Sequence, residues 1–155
     1  MKKWIIGCMG LVLMELPLPV LASPTTFEPV IGNALLCRDQ IDPTYFTDYL
    51  IRFYKEPYKN EGEAYWFKPD GGQKLYDMVM TDIYVSTEDS RYLFLGVIFR
   101  ETLDSARKKM LAMKGIEFLP FNGDTVLRSA QGSFLIEYDN SQTKLYCVKH
   151  RIVPR

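Results

Sequence analysis

Residues 91–100 read RYLFLGVIFR. Leu93, Leu95, Val97 and Phe99 alternate with Tyr92, Phe94, Gly96 and Ile98, and successive side chains of a strand point to opposite faces, so a strand here is apolar on both. Such a strand belongs in the middle of a sheet.

Upstream the same period of two runs through "EAYWFKP" (63–69), "KLYDMVM" (74–80) and "TDIYVST" (81–87), with turns at "PDGG" and "EDS". Further back, "DPTYFTDYLIRFY" (42–54) changes period. Asp42 can cap a helix, Pro43 suits its first turn, and Phe46, Tyr49, Leu50 and Phe53 follow the 3-4 spacing of one face. Before it, Pro24, Pro29 and Gly32 suggest an extended arm leading into a strand "ALLCR" (34–38) that carries Cys37.

Downstream of the central strand, "TLDSARKKMLAMKG" (102–115) reads as a second helix. Thr102 caps it, Leu103, Ala106, Met110 and Met113 form its apolar stripe, and Gly115 stops it. The tail is a run of strands, "IEFLPF", "DTVLRSA", "SFLIEYD" and "TKLYCVKHR", broken at Asn122-Gly123, Gly132 and 139–141. The expected fold class is therefore α+β, two helices packed on a mostly antiparallel sheet. Set without gaps, residues 81–100 and 132–151 match in pattern. Two explanations stay open, a duplicated helix-plus-hairpins unit and the generic alternation of strands with polar turns. In element order the chain resembles the exported two-repeat helix-and-sheet proteins that inhibit β-lactamases, which implies an inhibitor-type binder; no motif is shared with them.

The first residues, "MKKWIIGCMGLVLMELPLPVLAS", have two lysines, an apolar run from Trp4 to Met14 and a small-residue end. That is the pattern of a secretory signal peptide, 1–22, with cleavage near Ala22 and a single exported domain over 23–155. The run is far short of the ~20 apolar residues of a membrane span, so no membrane insertion of the mature chain is expected. Cys8 leaves with the leader. Cys37 and Cys147 remain in an oxidising compartment, periplasmic or extracellular, and are expected to pair.

That pairing bears on "KLYCVKH", where Cys147 precedes the single histidine, His150, by three residues. A bridged sulfur is no nucleophile, and positions three apart on a strand face opposite ways. His150 shares a face with Tyr146 and Val148 and is expected to pack there, half-buried. No catalytic residues are assigned, and no spacing of metal-ligand type or phosphate-cradling loop occurs, so no metal site and no cofactor are expected. The full chain balances 19 basic against 19 acidic residues; loss of Lys2, Lys3 and Glu15 with the leader gives −1. Nothing in that charge points to nucleic acid.

Aromatic residues are abundant, ten tyrosines and nine phenylalanines among them. "YKEPYKNEGEAYW" (54–66) collects Tyr54, Tyr58, Tyr65 and Trp66 between a helix and a strand, and these are the expected binding residues, because Tyr and Trp bury much area for little lost rotamer freedom. The expected function is an exported, non-catalytic binding protein of the bacterial envelope, an inhibitor or immunity-type protein whose partner is another exported protein. Two alternatives stand beside it: a small polysaccharide-directed hydrolase using Glu61 and Glu63, and a structural accessory subunit of an envelope assembly.

Overall fold

The computed structural model describes residues 26–139 and 141–152; the expected leader and its expected cleavage point lie outside them. Among these residues a π-helical turn, three α-helices and nine strands follow one another. A π-helical turn Glu28–Gly32 runs into α1 (Asn33–Leu35), then α2 (Pro43–Tyr54), β1 (Lys59–Asn60), β2 (Ala64–Phe67), β3 (Lys74–Leu75), β4 (Met78–Ser86) and β5 (Tyr92–Phe99). After these come α3 (Leu103–Lys114), β6 (Phe118–Pro120), β7 (Val126–Ser129), β8 (Phe134–Asp139) and β9 (Gln142–His150). The class is α+β, with three helices rather than two.

The extra helix replaces the expected arm and the strand at 34–38. Pro29 sits in the first turn, where its missing N–H costs nothing. Phe27, Ile31, Ala34 and Leu35 fall at helical spacing and are all buried. Gly32 is required by contact: a Cβ there would lie 2.5 Å from the Tyr76 hydroxyl oxygen. A residue that reads as a helix breaker is thus a packing residue.

Helix α2 begins as its sequence dictates. Asp42 is extended, and its carboxylate accepts the Tyr45 N–H at 3.1 Å. Its buried row is Phe46, Leu50 and Tyr54, one helical turn apart. Phe53 instead turns outward against Tyr49, ring centroids 4.9 Å apart, because Tyr54 takes the inner place edge-on to Phe27 at 6.0 Å. Asp42→Ala should lower the unfolding free energy by about 1 kcal/mol, read as a shift of the denaturant midpoint with unchanged slope. Helix α3 has the expected Thr102 cap and Gly115 stop and buries Ala106 and Met110, but Met113 is exposed.

All strand pairings are antiparallel, in the order β1-β2-β4-β5-β9-β8-β7-β6, with β3 pairing β4. β5 is central, as its two apolar faces require. The expected single strand over 74–80 is instead a hairpin turned at Tyr76-Asp77, both with positive φ. Such turns ordinarily carry Asn-Gly or Asp-Gly, so this one sends no sequence signal.

The strand order reads alike from both edges, yet the ungapped match of 81–100 with 132–151 is out of phase. It sets Ile83, Val85, Leu95 and Val97, which face the helices, on Phe134, Ile136, Tyr146 and Val148, which face away. Val85 lies opposite Leu95 and Leu135 opposite Leu145, so the hairpins centre on residues 90 and 140, a displacement of 50 rather than 51. The odd displacement exchanges the faces of every residue.

The helices pack on one side of the sheet. Phe67, Ile83, Val85, Leu95, Val97, Phe99, Leu135 and Leu145 meet Leu35, Phe46, Leu50, Ala106 and Met110 in a single core. Cys37, just past α1, is bonded to Cys147 on β9, Cα atoms 5.3 Å apart, which ties the helical layer to a central strand. A second, smaller cluster on the other side, Ala64, Tyr84 and Ile98 with Trp66, Phe94 and Tyr146 around it, contains strand residues alone.

Candidate functional site: the open face of the sheet

The strand registers align one row of side chains across eight strands. Lys59 pairs with Trp66, Trp66 with Tyr84, Tyr84 with Gly96, Gly96 with Tyr146, Tyr146 with Phe134, Phe134 with Arg128, and Arg128 with Leu119. A register couples residues on one face, so the row stands together on the side away from the helices. Trp66 and Tyr84 stack at 4.8 Å, Phe134 and Tyr146 at 5.3 Å, and Tyr84 lies 6.1 Å from Phe94. Gly96 makes the row possible: the Tyr84 ring lies over it, and a Cβ there would come within 1.9 Å of Tyr84 Cζ.

Cations cap these rings. Lys59 Nζ sits 4.6 Å from the Trp66 centroid, and the Arg128 guanidinium 5.4 Å from Phe134 and 5.1 Å from Phe121. In the adjoining row Lys144 lies between Ile98 and Ile136. Its ammonium is 4.6 Å from the Tyr138 ring, 5.1 Å from Tyr84 and 6.0 Å from Trp66. Cation–π contact offsets part of the desolvation cost, but burial still holds the Lys144 pKa below the usual lysine range. Burial raises the phenols of Tyr84 and Tyr146 above theirs. Together Trp66, Tyr84, Phe94, Lys144, Tyr146 and Val148 line a depression of about 380 Å³.

The four expected binding residues divide between two faces. Trp66 is half-buried in the aromatic row, with its Nε1–H donating to the Glu61 carbonyl at 3.0 Å. Tyr58 is 53% exposed, and its hydroxyl donates to Asp82 at 2.7 Å, beside the Lys68–Asp82 ion pair. Burial and that hydrogen bond raise its pKa. Tyr65 points to the helix side, packs against the main core and donates to Glu88 at 3.2 Å. Tyr54, 8% exposed, is a core residue. A partner could not reach it without unfolding the end of α2.

Glu61 and Glu63 are engaged separately. The Glu61 carboxylate pairs with Lys59 at 2.8 Å, whereas Glu63, with φ 57, accepts the Ser90 hydroxyl at 2.8 Å and takes the Thr87 N–H on its carbonyl at 2.8 Å, fastening the β4–β5 turn. Glycoside hydrolysis needs two carboxylates flanking one bond; here one holds a turn and the other a lysine. Cys147 is fully buried in its bridge, and His150, rather than packing half-buried, is exposed at the strand end with its ring 5.1 Å from Tyr92. Among the described residues no three His, Cys, Asp or Glu side chains gather to hold a metal ion, and no helix is long and apolar enough to cross a membrane.

Tyr84, Phe94, Phe134, Lys144 and Tyr146 were not among the expected site residues. Their signal lay in the central strand: β5 is apolar on both faces, and only one can meet the helices. Comparison with family models, with curated proteins and with solved structures finds no match for this chain.

Proposed function

We propose that this chain is an exported, non-catalytic binding protein of the bacterial envelope, of the inhibitor or immunity type, acting on another exported protein through the open face of its sheet. The observation that carries this reading is the aromatic row Trp66–Tyr84–Gly96–Tyr146–Phe134, capped by Lys59 and Arg128, on a face to which no helix of the described residues contributes. Folded monomers rarely leave a contiguous apolar surface open without a use for it. Tyr, Trp, Phe and Arg are also the residues that carry binding energy in protein interfaces. The leader-like start and the Cys37–Cys147 bridge support export.

The test begins with the protein from Ser23 immobilised and exposed to envelope extract, beside Trp66→Ala and, as a control on the opposite layer, Lys108→Ala. Trp66→Ala should weaken the captured partner's binding by about 2 kcal/mol, roughly thirty-fold, in the protein that stays folded, alongside a lowered thermal melt from the lost stacking on Tyr84. Lys108→Ala should change neither. Equal retention of the partner by wild type and Trp66→Ala would sink the reading.

A further inference from the structure

We infer that the depression around Lys144 receives an acidic side chain of the partner protein, an aspartate or glutamate flanked by an apolar residue. This rests on the reading of the open face as a protein-binding surface and names the chemistry of its centre.

Lys144 stands in mid-sheet, on β9, and its ammonium lies among the rings of Tyr138, Tyr84 and Trp66. Among the described residues that ammonium makes no ion pair and no hydrogen bond, and neither do the hydroxyls of Tyr84 and Tyr146. The other open-face lysines differ: Lys59 is paired with Glu61 and Lys68 with Asp82. Three donors without acceptors therefore line one depression; Trp66, Phe94, Ile136 and Val148 give it apolar walls, and Glu61, the acidic residue of its lining, is already paired with Lys59. A carboxylate would give the ammonium its counter-charge and accept from the phenols, and an apolar neighbour would fill the remaining space.

Two other occupants fit less well. A sugar ring would need an open flat aromatic face, but Trp66 already has the Tyr84 ring stacked on it and the Lys59 ammonium over it. A second copy docking through the same face would offer Lys144 a patch whose carboxylates Glu61 and Asp82 are already paired with Lys59 and Lys68.

A random peptide library displayed on phage, panned against the protein from Ser23 and its Lys144→Met and Trp66→Ala variants, tests the inference. Enriched peptides should carry Asp or Glu beside an apolar residue, and should bind wild type about ten-fold or more tightly than Lys144→Met. Replacing the peptide's acid by its amide should produce a similar loss, and Lys144→Arg should retain most of the binding. Peptides that lack an acid, or that bind Lys144→Met equally while still requiring Trp66, would overturn the inference and leave the open-face reading standing. Peptides indifferent to both substitutions, or no enrichment at all, would overturn both. Self-association of wild type that is lost in Lys144→Met would make the occupant a second copy and also overturn it.

Discussion

Replacing Cys37 and Cys147 together by alanine is expected to lower the unfolding free energy by about 4–5 kcal/mol, a large share of what a domain of this size has. The two residues are 110 apart in sequence, so the bridge closes most of the chain into one loop and removes a correspondingly large set of unfolded conformations. It joins the end of α1 to β9, and without it the short N-terminal helical segment keeps only its packing, the Lys114–Glu28 ion pair and the Lys149 hydrogen bond to the Asp39 carbonyl to hold it in place. The observable is the denaturant midpoint of oxidised wild type against the double variant. Thiol labelling of native wild type should find neither cysteine reactive. A difference under about 1 kcal/mol would mean that the unfolded chain is already constrained without the bridge.

Phe99→Ala should cost about 3–5 kcal/mol, whereas Phe94→Ala, five residues earlier on the same strand, should cost about 1 kcal/mol or less. Phe99 is fully buried among the helices and β4, where a void cannot collapse. Phe94 points the other way, half-buried beside Tyr84 on the open face. The signs reverse for partner binding: Phe94→Ala should weaken it, and Phe99→Ala should leave the affinity of the folded fraction nearly unchanged. Denaturant unfolding and a binding isotherm for each variant separate the two roles. Equal destabilisation by both would mean that the open face is a second core.

The parts of this fold that could be read from sequence are those where local chemistry and tertiary packing agree. Asp42-Pro43, Thr102 and Gly115 bound their helices, and the alternation in β5 sets both its type and its central place. The misreadings have physical causes. Pro29 and Gly32 look like punctuation, but one occupies a first helical turn and the other makes room for the Tyr76 hydroxyl. Tyr76-Asp77 adopts a turn whose backbone their side chains do not advertise. For the site, a local cluster of aromatics pointed to Trp66 and Tyr58 but also to Tyr54, which the helix rotates inward. The rest of the row comes from other strands, and only the register brings Lys59, Tyr84, Gly96, Tyr146, Phe134 and Arg128, one from each of six strands, to one line.

Trp66 offers a direct view of that line, because the chain's other tryptophan, Trp4, lies in the segment expected to be removed. Fluorotryptophan incorporated into the protein from Ser23 gives a single fluorine resonance, at the edge of the proposed contact surface and stacked on Tyr84. Titration with the captured partner should shift or broaden this resonance in step with complex formation, and Lys108→Ala should follow the same curve. A resonance that stays unmoved while the partner is saturably bound would place the contact elsewhere and contradict the assignment of the open sheet face as the recognition surface.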